Sequence, residues 1–292
     1  MALKGIDVSK WNTKLDYKRL KSVGIDFAMI RAGLGTQTDA MFASHIKAAQ
    51  AAEMQVGVYW FAYALNASEA QKEADACLKV IKPYKLDLPV FYDFEYDTER
   101  YAGDKSVTYT VASRTAIIKA FCDRIESAGY DAGVYINPDY CLYKTNRGQL
   151  KKYKLWIAAW RRSDGVASFE TVKPEQLPTT YKDAMIWQPG KAKLDGSGGA
   201  YVDINYGYFN TNSTSGTPID APTDTNSTSG TPIDAPTEKP NYKINDKYTI
   251  KAGDMYTTGQ VVPDEVVGWE CTIIGVKSDR ILLKEVYTWV YI

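Results

Sequence analysis

The stretch Leu88–Asp97, LPVFYDFEYD, brings two carboxylates to the end of an apolar run. Its β-branched and aromatic residues read as a buried strand, and Asp93 and Glu95 close it two positions apart. Side chains alternate across a strand, so both acids face the same side. Two acids held in one apolar place are costly to ionise together, and each raises the pKa of the other. Such a pair suits acid/base or nucleophilic work on a bond that needs a proton and passes through a cation, as in glycoside hydrolysis.

Two further acids belong to the same argument: Asp7 in GIDVSKWN and Asp203 in YVDIN. The elements that must position them alternate along the first 210 residues. Strands are predicted at Lys4–Val8, Asp26–Arg31, Gln55–Phe61, Pro89–Glu95, Ala132–Asn137, Leu155–Trp160, Ala184–Gln188 and Tyr201–Asn205. Helices are predicted at Tyr17–Ser22, Asp39–Glu53, Ala67–Ile81 and Val111–Ala128, with Ser68 and Glu69 as a helix opening and Gly129 as a C-cap. This α/β alternation implies parallel strands closing into an irregular (β/α)8-type barrel. An open doubly wound sheet is disfavoured because no G-x-G-x-x-G follows the first strand.

In a parallel barrel, reactive residues gather at the C-terminal ends of the strands. Asp7, Asp93, Glu95 and Asp203 are therefore expected at one mouth. Asp7 and Asp203, on the first and last strands, would be neighbours facing the Asp93/Glu95 pair. Alternation aims Arg31, Tyr59, Phe61, Tyr63, Tyr135, Asn137, Trp160 and Gln188 at the same place, where aromatic faces around acids make a sugar-binding groove. Trp60, on the opposite face, is expected against a helix.

Composition removes other classes. Lys plus Arg and Asp plus Glu both total 35, so bulk attraction to nucleic acid is not expected. The single histidine, His45, disfavours His-dependent hydrolases and His-rich zinc sites, and it reads as a helix-packing residue. Cys77, Cys122, Cys141 and Cys271 form no C-x-x-C pair and read as buried thiols. No apolar run suits membrane insertion, and MALKGIDVSKWN enters a strand without an export leader. No cofactor or metal is expected.

Beyond the barrel the composition changes. Asn212–Thr223, NSTSGTPIDAPT, recurs letter for letter as Asn226–Thr237. These polar copies cannot build a core, so 211–240 reads as a flexible linker. Residues 241–292 turn hydrophobic again and read as a small β-barrel of five or six strands. The expected domains are thus a catalytic barrel at 1–210, the linker, and a binding or dimerising module at 241–292.

The series GIDVSKWN, YWFAYA, YDFE, GVYIN, WIAAW, IWQ and YVDIN resembles, in order, the glycoside hydrolase family 25 lysozymes over Lys4–Phe209. Family members usually have Tyr-His-Phe where this chain has Tyr59-Trp60-Phe61. The resemblance implies an irregular β/α barrel that cleaves the β-1,4 bond between N-acetylmuramic acid and N-acetylglucosamine in peptidoglycan, with retention of configuration. Glu95 is expected as the general acid. Asp93 is expected to stay ionised, either as nucleophile or as the group orienting the substrate acetamido. Asp7 and Asp203 would tune the acid and hold substrate. The linker and tail resemble a phage endolysin with an SH3-like wall-binding module, made in the host cytoplasm and released through a holin. A bacterial autolysin, a glycosidase on another N-acetylated polymer, and a non-catalytic sugar-binding barrel are the alternatives. Homodimerisation is the alternative role for the tail.

Overall fold

The computed structural model describes residues 2–162, 164–209, 242–254, 267–276, 280–283 and 288–291. The chain divides into two compact units, Met1–Ala221 and Pro222–Ile292. Both copies of the linker repeat lie outside the described residues.

The first unit is built on β1 (Leu3–Val8), β2 (Phe27–Leu34), β3 (Gln37–Thr38), β4 (Gln55–Phe61), β5 (Val90–Asp93), β6 (Ala132–Ile136), β7 (Lys154–Ile157), β8 (Ala184–Lys193) and β9 (Tyr201–Gly207). Their order is β1-β9-β8-β7-β6-β5-β4-β2-β3, and a further β1–β2 pairing closes eight strands into a barrel with β3 as an appended hairpin. β5 lies across the barrel from β1 and β9.

One expectation is corrected. β9 runs antiparallel to both β8 and β1. Apolar–polar alternation is the same whichever way a strand runs, so the pattern carries no direction. The connection does: between Lys193 and Tyr201 there is a turn and no crossover helix, which permits a hairpin and not a parallel return.

α1 (Tyr17–Ser22), α2 (Phe42–Ala51), α3 (Ala67–Ile81) and α5 (Val111–Ser127) stand where helices were expected, α2 starting later than predicted. α3 opens at Asn66 rather than at Ser68: the Asn66 Oδ1 accepts the Glu69 N–H at 3.0 Å. Gly129, just past α5, has φ +87°, a left-handed position that favours glycine. α4 (Tyr96–Asp104), directly after β5, was not anticipated, and neither was the short α6 (Arg147–Leu150).

The barrel interior is filled by Phe27, Met29, Tyr59, Phe91 and Trp156. Three of these stand opposite glycines on the adjacent strand: Phe27 opposite Gly5, Met29 opposite Gly57 and Phe91 opposite Gly133. A Cβ at any of the three glycines would collide with the large side chain facing it. Small residues opposite large ones let the floor below the mouth pack solidly. A larger core of strand outer faces and helices surrounds this floor.

His45 is buried in that outer layer, where its Nδ1 accepts from Tyr17 Oη at 2.9 Å and its Nε2 donates to the Ser9 carbonyl at 3.1 Å. It is a packing residue, as expected. Cys77, Cys122 and Cys141 are buried free thiols, and Cys271 is buried in the second unit. Among the described residues no helix is long and apolar enough to cross a membrane.

In the second unit β10 (Lys247–Thr249), β11 (Glu270–Val276), β12 (Arg280–Leu283) and β13 (Thr288–Tyr291) form an antiparallel sheet in that order. Tyr248, Ile250, Cys271, Ile273, Ile281 and Leu283 are buried. The rest of the expected small barrel lies outside the described residues.

Candidate active site

The four acids do meet at one mouth. Asp93 is the last residue of β5, and Glu95 follows as the N-cap of α4. The backbone stays extended through Glu95, so alternation persists: Phe94 turns out to pack on Tyr109 and Tyr140, while Asp93 and Glu95 share the inner side. The Glu95 backbone N–H donates to Thr98 Oγ1 at 3.3 Å, which anchors the strand-to-helix corner. Asp7 and Asp203 are register partners on β1 and β9. Asp203 was expected at a strand's C-terminal end. It stands instead near the start of β9 and reaches the same rim because that strand runs backwards.

Burial raises all four, and neighbouring acids add to it for Asp93, Glu95 and Asp203. Asp7 is pushed up to about 6 by burial, against hydrogen bonds from Asn205 and Gln188 that pull it down. Glu95, half-buried, rises to about 7 through burial and then the charges of Asp97 and Asp7. Asp203 rises to about 8 through burial and Asp7, with Lys191 opposing. Asp93 is held well above the carboxylate range by burial, then Glu95 and Asp7, with Arg31 opposing. This differs from the expectation that Asp93 stays ionised: in the free chain it is deeply buried, and its Oδ1 has no hydrogen-bond partner among the described residues. Four such acids cannot all be charged at neutral pH.

A network fixes Asp7. Its Oδ2 accepts from Gln188 Nε2 at 2.9 Å and from Asn205 Nδ2 at 2.8 Å. Gln188 Oε1 in turn accepts from Tyr135 Oη at 3.0 Å and from Trp160 Nε1 at 2.8 Å. Asn205 Oδ1 accepts from Trp156 Nε1 at 2.9 Å. Each amide thus has its orientation set by indole donors behind it.

The other expected groove residues divide. Tyr59 forms part of the floor, edge-on to Trp156, within the fields of Asp7, Arg31, Asp93 and Asp203. Phe61 and Tyr63 pack together, and Tyr63 continues onto Tyr101 of α4 at 4.6 Å between ring centroids. Arg31 lies within β2, not at its end, and pairs with Asp39 at 2.7 Å. Asp39 was expected in α2 but precedes it, and is free to take Arg31. The Asn137 Oδ1 accepts the Tyr140 N–H at 3.1 Å, which caps a turn. Trp60 is fully buried, donating to the Gly35 carbonyl at 2.8 Å, away from the acids.

Sequence reasoning missed Asn205 and Trp156. Asn205 was findable by the rule that paired Asp93 with Glu95, because it stands two residues after Asp203. Among the described residues no group of three or more His, Cys, Asp or Glu is arranged to hold a metal ion.

The model of the glycosyl hydrolases family 25 matches residues 6–191. The chain belongs to this family. Asp7, Asp93 and Glu95 fall inside the family 25 match, and Asp203 lies just beyond it. An autolytic lysozyme of Clostridium acetobutylicum is 25% identical over 160 residues, covering 54% of this chain and 45% of that protein. The modular autolysin of Streptococcus pneumoniae has a similar fold, with TM-score 0.56 and 24% identity over 71% of this chain and 47% of its own. A family 25 glycosyl hydrolase from Bacillus anthracis matches with TM-score 0.55 and 22% identity over 72% of this chain and 90% of its own. The chain thus covers less than half the length of the clostridial and pneumococcal relatives. The closed eight-strand barrel with its helices is the fold of family 25 glycoside hydrolases.

Proposed function

We propose that the chain is a muramidase that hydrolyses the β-1,4 bond from N-acetylmuramic acid to N-acetylglucosamine in peptidoglycan, with Glu95 as general acid. The observation that carries this reading is Glu95 itself: a half-buried carboxyl at the barrel mouth, with a pKa raised to about 7 by burial and neighbouring acids. Such a group keeps its proton near neutral pH and can still reach a bound sugar.

Glu95 gives its proton to the leaving glycosidic oxygen as the C1–O bond breaks, then takes a proton from the incoming water. The anomeric carbon acquires cationic character in between. Asp93 faces that charge. Its Oδ1 has no hydrogen-bond partner among the described residues, and its carboxylate is the acceptor we assign to the substrate's 2-acetamido N–H. That hydrogen bond and the nearby positive charge both favour ionised Asp93 once sugar is bound. Asp93 then orients the acetamido for its own attack at C1. Burial, Asp97 and Asp7, the last locked by Gln188 and Asn205, keep the acid's pKa high. Tyr63, Tyr101 and Trp160 offer ring faces along the groove.

The names of the relatives support a wall substrate. One is an autolytic lysozyme, and the pneumococcal autolysin has been seen in complex with a synthetic peptidoglycan ligand. We assign the second unit to holding the enzyme on its insoluble substrate, in the manner of an endolysin, since joining a catalytic unit to a wall-binding one raises the local enzyme concentration.

Reducing-end analysis of digested peptidoglycan tests the bond assignment. Muramic acid at the new ends supports it, and glucosamine ends reject it.

A further inference from the structure

The β8–β9 hairpin carries more than Asp203 into the mouth. A register shift between Trp187 and Gly190 sets Gln188 and Pro189 against Asn205 alone. Before the shift Gln188 faces inward. After it Lys191, opposite Asp203, and Lys193, opposite Tyr201, take the inward side, while Ala192 and Val202 join the outer core. The bulge therefore lines up Lys191, Lys193, Tyr201 and Asp203 on one face that runs outward from the acids.

That face is exposed, aromatic and cationic. Trp160 and Tyr201 are each 45% exposed. The Lys191 ammonium lies 6.0 Å from the Trp160 ring and 5.6 Å from the Tyr201 ring, and the Lys193 ammonium lies 5.2 Å from the Tyr201 ring. Trp160 reaches Asp7 through Gln188. Among the described residues neither lysine makes an ion pair. The contrast with Arg31, already taken by Asp39, is direct. Two cations outside any close ion pair, Lys191 within the field of Asp203, thus stand over ring faces at the edge of a mouth whose own acids would repel an anion.

We infer that this hairpin face is a recognition site for a carboxylate of the peptide stem on the glycan strand, with Lys191 and Lys193 meeting the charge and Tyr201 and Trp160 stacking on the adjoining sugar. The inference rests on the peptidoglycan reading above and extends it to substrate choice. The enzyme would favour strands whose stems keep their free carboxylates over neutral N-acetylated polymers and over walls with amidated stems.

The test uses the full chain on two preparations of one wall. Both are stripped of phosphate-containing polymers, and one has its stem carboxylates amidated with carbodiimide and ammonia before enzyme is added. Reducing-end release gives kcat and KM for the wild type, Lys193→Ala, Lys193→Glu and Lys193→Arg. On the untreated wall KM should rise about threefold for Lys193→Ala and further for Lys193→Glu, with kcat held and Lys193→Arg near wild type. On the amidated wall the wild-type KM should rise severalfold and the variants should no longer differ from it. Wild-type turnover that ignores amidation, or variants that lose equally on both walls, would overturn the inference alone. A chain that releases no reducing ends from either wall overturns the glycosidase reading and this inference with it.

Discussion

Asp7 and Asp203 stand directly opposite each other on the antiparallel β1–β9 ladder. Like charges in that position repel, with Asp7 buried and Asp203 half-buried, so the pair resists full ionisation. The Asp203 pKa of about 8 lies far above its ordinary 3.8. The folded chain therefore binds this proton more tightly than the unfolded chain does. Its contribution to stability is complete below about pH 4 and is lost as pH rises toward 8. Asp203→Asn should match wild type in thermal unfolding at pH 4. At pH 8 it should melt several degrees higher, at about 2–4 °C for each kcal/mol relieved. Equal melting temperatures at both pH values would show that Asp203 carries no such strain.

Activity should fall as pH rises through about 7, where Glu95 loses the proton it must donate. After burial, the charge of Asp97 does most to hold that pKa up. Asp97 is exposed and lies outside the acid cluster. Asp97→Asn should move the alkaline limb of the kcat/KM profile a few tenths of a pH unit lower and leave the acid-side plateau unchanged. An unmoved limb would assign the profile to another group.

Asn205 joins Asp7 to the barrel floor. Asn205→Ala removes one of the donors on Asp7 and leaves the buried Trp156 Nε1 unpaired. The expected cost is about 1–3 kcal/mol in urea unfolding, together with a large loss of activity. Trp160→Phe removes only a half-exposed donor from Gln188 and should cost less than 1 kcal/mol, as an order of magnitude.

Met1–Ala221 is compact by itself. A chain ending there should hydrolyse soluble glycan fragments at the full rate but pellet with cell walls roughly 10–100-fold less well. A truncated chain that still pellets like the full one would remove the second unit's proposed role.

Much of this site was readable from residue types. Alternation alone put Asp93, Glu95, Tyr59, Tyr135 and Gln188 on the inner face. Closure of the barrel made β1 and the last strand neighbours. Three things were hidden, each for a physical reason. The direction of β9 leaves no trace in a two-residue period. α4 was masked because YDTERYAGD is short and mostly polar, with only Thr98 and Ala102 buried, and its N-cap, Glu95, reads as the end of the preceding strand. How strongly burial lifts Asp93 and Glu95 depends on depth below the mouth, which spacing does not encode: Asp93 is 5% exposed and Glu95 is more open.

The rate of reducing-end release from purified peptidoglycan by Glu95→Gln, measured beside its thermal unfolding, tests the central claim most directly. A glutamine keeps the shape and cannot deliver the proton. The rate should drop by about 10²–10⁴-fold with no loss of melting temperature. A variant that folds normally and cleaves the wall at close to the wild-type rate would contradict the assignment of Glu95.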